Sequence, residues 1–252
     1  MCLIAWNWQP DSATPLLLLA NRDEYFQRPA LPVHWWEGDA VLAGRDLQAG
    51  GTWLGVSRNG RLASLTNYRR FPVSQEARPS RGALVLEFLQ GHASAADYLA
   101  SVSQSAHRYN PFNLLVFDGT RLMGLESRHT RILSMEPGMG AVSNADFHTP
   151  WPKLKRLRDH LAQHSVHGPT SHEHLWLLLQ HRELAADADL PQTGIPLELE
   201  RALSATFVAL PDYGTRASSI IEWSRGQIHF SEQTHTQEGP SQQVNWSFEP
   251  QR

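Results

Sequence analysis

Two short apolar runs near the amino end, Cys2 to Trp8 and Leu16 to Asn21, flank the turn chemistry of Gln9-Pro10-Asp11-Ser12. Runs of this length, bounded by Pro, Asp and Ser, read as the two strands of a hairpin. The second run closes abruptly in four polar residues, Asn21-Arg22-Asp23-Glu24. Antiparallel pairing sets the far end of a second strand beside the start of the first. The pattern therefore predicts that this quartet meets Cys2.

Cys2 is the single cysteine of 252 residues. Removal of Met1, which a small second residue permits, would leave its thiol beside the α-amine of the chain. An α-amine titrates near pH 7.7–8.0, well below a lysine, so it can take the thiol proton and pass it to a leaving group. A cysteine at a strand start is also a common small apolar filler, so position alone leaves packing as the alternative. Arg22 beside the sulfur would favour the thiolate, and a carboxylate from the quartet could hold the ammonium or orient the guanidinium.

Further strand character is expected at Ala40 to Ala43, Thr52 to Ser57, Leu62 to Asn67, Asn113 to Asp118 and Arg121 to Glu126, with tight turns at Asn59-Gly60 and Asp118-Gly119. Helices are expected at Gly82 to Gln90, Ser94 to Ala106 with Ser94 as N-cap, Pro152 to His164, and Glu173 to His181. In the third, Leu154, Leu157 and Leu161 repeat at the spacing of one buried face. Strands return at Thr206 to Leu210, Ser218 to Trp223 and Gln227 to Ser231, with an irregular polar tail up to a last run, Val244 to Phe248. Strands, then helices, then strands define an α+β layered fold rather than alternating β-α units. Length, and the lack of a Pro/Gly/Ser linker, favour a single domain over residues 1–252.

A net charge of −3 offers no footprint for nucleic acid or anionic membranes. The apolar stretch Leu16 to Ala20 is too short to span a bilayer and no basic residue precedes it as in a signal peptide, so membrane insertion is not expected and a cytoplasmic location is. The partner expected is a small molecule; oligomeric state is left open. Thirteen histidines invite a metal reading, with His160, His164, His167 and His172-Glu173-His174 near one helical region. His-Glu-x-x-His and a second cysteine are both missing, so no metal site is expected. Asn67 and Asn144 stand near strand ends as neutral amide donors suited to an oxyanion, although Asn also favours turn geometry there. Tyr213-Gly214-Thr215-Arg216 places a cation and hydroxyls at the mouth of a strand, and Gly50-Gly51-Thr52-Trp53-Leu54-Gly55 could shape a pocket wall or a bulged strand.

Taken together, Met1-Cys2-Leu3-Ile4, Ala20-Asn21-Arg22-Asp23-Glu24 with Arg28-Pro29, the Gly50–Gly55 segment, Leu65-Thr66-Asn67-Tyr68, Ser143-Asn144 with Thr149-Pro150-Trp151, and Tyr213-Gly214-Thr215-Arg216 resemble the NRDE family, also called the transport and Golgi organisation protein 2 family. The order and spacing match over nearly the whole chain. That family is similar to the N-terminal nucleophile hydrolases, which implies a four-layer α-β-β-α sandwich of two antiparallel sheets flanked by helices. It implies an amidohydrolase-like activity on a small acylated or amide substrate: Cys2 as nucleophile, Arg22 and Asp23 beside it, Asn67, Asn144 and Arg216 at the oxyanion and late-arginine positions. Glu24 competes with Asp23 for the carboxylate role. Asn21, Glu24, Trp53 and Tyr68 are the expected substrate contacts. In cysteine acylases of that class the arginine and aspartate stand three positions apart, whereas here they are adjacent. No cofactor is required. The resemblance also implies a non-enzymatic alternative, binding or trafficking of haem or another hydrophobic ligand, with Trp35-Trp36 beside His34 lining a slot and Cys2 as a thiolate ligand.

Overall fold

The computed structural model describes residues 2–38, 40–69, 78–165 and 171–251, without the side chains of residues 164 and 165. Its centre is the predicted hairpin. Strands β1 (Cys2–Trp8) and β2 (Leu16–Tyr25) pair antiparallel with Trp8 opposite Leu16 and Cys2 opposite Arg22. The second strand runs on through the polar quartet because a third partner, β11 (Tyr213–Ser224), continues to satisfy its backbone there. A register shift between Thr215 and Ala217 throws Arg216 out of the ladder at that point.

Around the hairpin, β10 (Gly138–Val142), β12 (Gln227–Thr236) and β13 (Gly239–Phe248) complete a six-stranded sheet in the order β10-β1-β2-β11-β12-β13. A second sheet of seven strands runs in chain order: β3 (Ala30–Trp35), β4 (Val41–Asp46), β5 (Leu54–Ser57), β6 (Leu62–Asn67), β7 (Phe112–Phe117), β8 (Leu122–Glu126) and β9 (Arg131–Ser134). All neighbours in both sheets are antiparallel.

Three apolar cores separate four layers. Between the sheets lie Ile4, Trp6, Leu18, Leu42, Val56, Leu115, Phe117 and Phe230. Outside the second sheet, helices α1 (Gly82–Gln90) and α2 (Ala95–Ser105) pack Val85, Phe88 and Leu99 onto Ala63, Leu114 and Val116. Outside the first, α3 (Pro152–Ser165) and α4 (His172–Leu179) pack Leu154, Leu157, Leu161 and Leu178 onto Leu3, Ala5, Leu19 and Ile220. The alternation of a strand explains the split: Ile4 and Trp6 face the partner sheet while Leu3 and Ala5 face the helices. A short helix, α5 (Leu197–Ala202), follows α4. This is the α-β-β-α sandwich expected.

Two local expectations fail, and one strand is unforeseen. Thr206 to Leu210 forms no strand beyond an isolated bridge from Ala209 to Gly214, because its polar and backbone groups are drawn to neighbours on β2 and β11. The polar tail is not irregular: β13 pairs with β12 from Thr236–Gly239 to Ile228–Phe248, an edge strand whose exposed side chains hide its period. β3, which carries Trp35, has no counterpart among the expected strands, because the register shift between Leu31 and His34 obscures its alternation.

Candidate active site

Where the polar end of β2 meets the start of β1, a cleft of about 550 Å³ opens, lined by Cys2, Arg22, Asp23, Glu24, Trp53, Asn67 and Arg216, among others. Its far wall comes from the second sheet and from residues 78–82 at the start of α1. That wall depends on two glycines. A Cβ on Gly51 would lie 2.7 Å from the backbone carbon of Gly82, and one on Gly82 would lie 2.9 Å from the Thr52 carbonyl oxygen. The helix start can thus sit directly on the strand lead-in.

Cys2 is buried, and burial pushes its thiol up while the charge of Arg22, directly opposite, pulls it down. Asp46, at the end of β4, is the residue that holds Arg22: its Oδ2 accepts from Arg22 at 3.2 Å and from Arg28 at 2.6 Å. Burial works against the Asp46 carboxylate, yet the Arg28 hydrogen bond, the Ala49 amide and Arg22 hold its pKa below the usual value. Glu24 Oε2 lies 3.9 Å from Arg22 and 4.0 Å from Arg28. Two acids and two arginines thereby fix the guanidinium over the thiol end of the cleft.

Asp23 is tied differently. Thr215 Oγ1 donates to its Oδ1 at 2.8 Å, Tyr213 OH donates to its backbone carbonyl at 3.0 Å, and Lys153 Nζ stands 3.4 Å from Oδ2. Lys153 is 1% exposed, and burial drives its pKa down, opposed by Asp23. Arg69, also buried, pairs with Glu200 at 2.7 Å and lies over the Trp151 ring at 4.7 Å. Three buried charges, Lys153, Arg69 and Glu200, thus lie behind the cleft wall to which Asp23 belongs.

The two asparagines divide. Asn67 lines the cleft. Asn144 does not: it is fully buried, its Nδ2 donates to the Asn67 carbonyl at 2.8 Å, and its backbone carbonyl accepts from the Arg69 amide at 2.7 Å. Ser143 Oγ donates to the Cys2 carbonyl at 3.2 Å. The Ser143-Asn144 pair is thus a brace that locks the end of β6 to the start of β1. Asn21 is likewise turned from the cleft, donating to the carbonyls of Leu179 and Thr206, each at 2.8 Å. Tyr68, one residue past Asn67, falls on the opposite side, where Arg128 donates to its hydroxyl at 2.9 Å. Arg216 lines the cleft, but its Nη1 is engaged by the carbonyls of Tyr25 and Arg28.

Sequence reasoning missed Asp46, Lys153, Arg81, Glu232 and His235. All but Lys153 line the cleft, and each lies far along the chain from Cys2. Lys153 carried a signal, a lysine directly after the Thr149–Pro152 segment at the start of an amphipathic helix, but surface lysines are common there. Glu232 Oε1 accepts from the Val33 amide at 2.8 Å, and burial pushes its pKa up to about 7. His235 bonds Ser218 at 3.1 Å, and burial pushes it down to about 4.

The tryptophans proposed to line a haem slot lie elsewhere. Trp35 packs edge-on against Phe248 under the Arg58 guanidinium, and Trp36 stacks on His34 and donates to the Ala43 carbonyl. Neither lines the cleft, where Trp53 stands among mostly polar groups. Among the described residues no group of three or more His, Cys, Asp or Glu could hold a metal ion. His160 meets His181 and His172 pairs with Glu222, while His167 lies outside the described residues. None of the described helices is long and apolar enough to cross a membrane.

Two packed antiparallel sheets covered by helices, with a cysteine at the first strand's start, define an N-terminal-nucleophile-hydrolase-like fold. A solved structure shares it: the Caenorhabditis elegans N-acylethanolamine-hydrolyzing acid amidase ortholog, with TM-score 0.50 and 11% identity over 88% of this chain and 92% of that one. The chain itself belongs to the Transport and Golgi organisation 2 family, whose model matches residues 1–237. Transport and Golgi organization protein 2 homologs from Bos taurus and Homo sapiens are each 34% identical over 93% of this chain and 93% of their own length. The Drosophila melanogaster protein is 26% identical over 94% of this chain and 93% of its own length.

Proposed function

We propose that the protein is an N-terminal-cysteine amidohydrolase acting on a small acylated or amide substrate. The observation that carries this reading is the placement of Cys2 in the cleft, in register with Arg22 and with Asp23 and Asn67 on the same walls. A thiol whose pKa burial raises is mostly protonated at neutral pH, so attack requires a base beside it. Once Met1 is removed, the α-amine of Cys2 supplies that base. The sulfur then bonds to the acyl carbon while the thiol proton moves to the amine, and the Asn67 amide donates to the oxyanion. The amine passes the proton to the leaving nitrogen as the C–N bond breaks, leaving a thioester on Cys2. Water adds to that carbonyl, and the free acid departs as the sulfur regains a proton. Arg22 offsets the charge on sulfur through each step, and the amidase named above, which hydrolyses N-acylethanolamines, supports an amide substrate by analogy of fold.

An electrophilic acyl probe should add one acyl group to the wild-type chain and none to Cys2→Ala. Equal labelling of the two would remove the enzyme claim. A saturable Soret shift on adding haem, with no acyl adduct, would replace it with the carrier reading.

A further inference from the structure

The Lys153–Asp23 pair is not explained by packing. Lys153 sits in the first turn of α3, on the side that Leu154, Leu157 and Leu161 press onto the first sheet. A lysine at such a place is ordinarily replaced by an apolar residue or turned to solvent, because a buried ammonium loses its hydration. Here Nζ is buried 3.4 Å from the carboxylate of Asp23, a residue that lines the cleft with Cys2. We propose that Lys153 is a positioning residue of the cysteine site, holding the Asp23 carboxylate at the amino end of β1 and offsetting its charge so that its field does not oppose the thiolate.

Charged and titratable groups face this pair from several elements. The pair meets Arg69 from the segment after β6 and Tyr213 from β11, and the Cys2 thiol of β1 meets Arg22 and Glu24 from β2 and Arg81 from the lead-in to α1. Arg69 pairs with Glu200, whose other oxygen accepts from the Thr193 amide and hydroxyl, and its charge also reaches Asp23, so Lys153 is the nearer of two cations behind the carboxylate. Thr215 fixes one oxygen of Asp23 and Lys153 approaches the other. The carboxylate is thereby held from two sides, with its charge countered on the side away from the cleft. A thiol near this carboxylate feels the pair rather than a lone negative charge.

This inference rests on the cysteine-nucleophile reading, but its test needs no substrate. The rate of iodoacetamide alkylation of the single cysteine, followed against pH, gives the thiol midpoint directly. Lys153→Met should raise that midpoint by about one pH unit, equivalent to roughly tenfold slower alkylation below it. Lys153→Arg should keep it within about 0.3 unit, since the cation remains. An unchanged midpoint in folded Lys153→Met overturns the proposal. If that variant does not fold, Asp23→Asn and the double variant Asp23→Asn/Lys153→Met decide: the first should lower the midpoint and the second bring it back to near the wild-type value. A double variant that stays at the Asp23→Asn value overturns the proposal equally. Failure of the acyl probe to label Cys2, with these shifts intact, would remove the amidase reading and leave the positioning role standing.

Discussion

The two helix–sheet interfaces of this sandwich are built on the same plan and filled differently. Over the second sheet, α1 and α2 bury a nearly continuous apolar surface, and the buried cation nearby, Arg61, is satisfied locally by the carbonyls of Phe88 and Ala93 and by the Phe88 ring. Over the first sheet, beside an equally apolar patch, the chain buries two ion pairs, Lys153–Asp23 and Arg69–Glu200. Buried pairs stabilise no better than apolar packing of the same volume. Among the described residues such pairs stand on one side alone, which points to a task at the cleft that the other side does not share.

That contrast can be broken by substitution. The largest expected effect is at Lys153: changing it to Met removes the buried cation nearest the Asp23 carboxylate and should cost about 3–5 kcal/mol in urea unfolding, whereas changing both residues to apolar ones should recover most of the loss. Equal losses for the single and double variants would show that Lys153 contributes by shape alone. On the other side, Leu89→Ala should cost about 2–5 kcal/mol by opening a cavity and leave the alkylation midpoint of Cys2 unmoved. A shifted midpoint there would erase the difference between the interfaces.

A smaller effect concerns the cleft floor and is a matter of pH. Glu232 has a folded pKa raised from 4.5 to about 7, so its contribution to stability is full below pH 4.5 and is lost as the pH climbs to about 7. His235, lowered from 6.5 to about 4, acts in the opposite sense: its contribution is full above pH 6.5 and is lost as the pH falls to about 4. The two largely cancel in the wild-type chain. Glu232→Gln should unmask the histidine, and its stability relative to wild type should grow by roughly 2–3 kcal/mol between about pH 5 and about pH 8, at about 1.4 kcal/mol per unit. Parallel pH profiles would contradict this. The smallest effect is at the N-cap of α2, where Ser94 Oγ accepts from the Asp97 amide: Ser94→Ala should cost about 1 kcal/mol and change nothing at Cys2.

Much of the frame was legible in the sequence because local signals agreed with the tertiary result. The opening hairpin, the Ser94 cap and the glycines at positions 60 and 119, both with positive φ, fall where turn and cap chemistry put them. The meeting of Cys2 with the quartet was legible for the same reason, since hairpin register alone sets Cys2 against Arg22. What was not legible depended on long-range pairing. β13 borrows its order from β12, and β3 hides behind a register shift. In the site, Asp46 and Lys153 reach their partners only because two sheets and a helix converge, and no spacing in the chain records that. Asn144 was read as an amide donor to substrate, but its donor is used within the scaffold to hold Asn67.

The most direct test of the whole account is the intact mass of the protein purified from its own host, taken before and after the acyl probe. The account predicts a chain that lacks Met1 and gains one acyl group on Cys2. A mature chain that retains Met1, or an adduct that maps to any other residue, would contradict it.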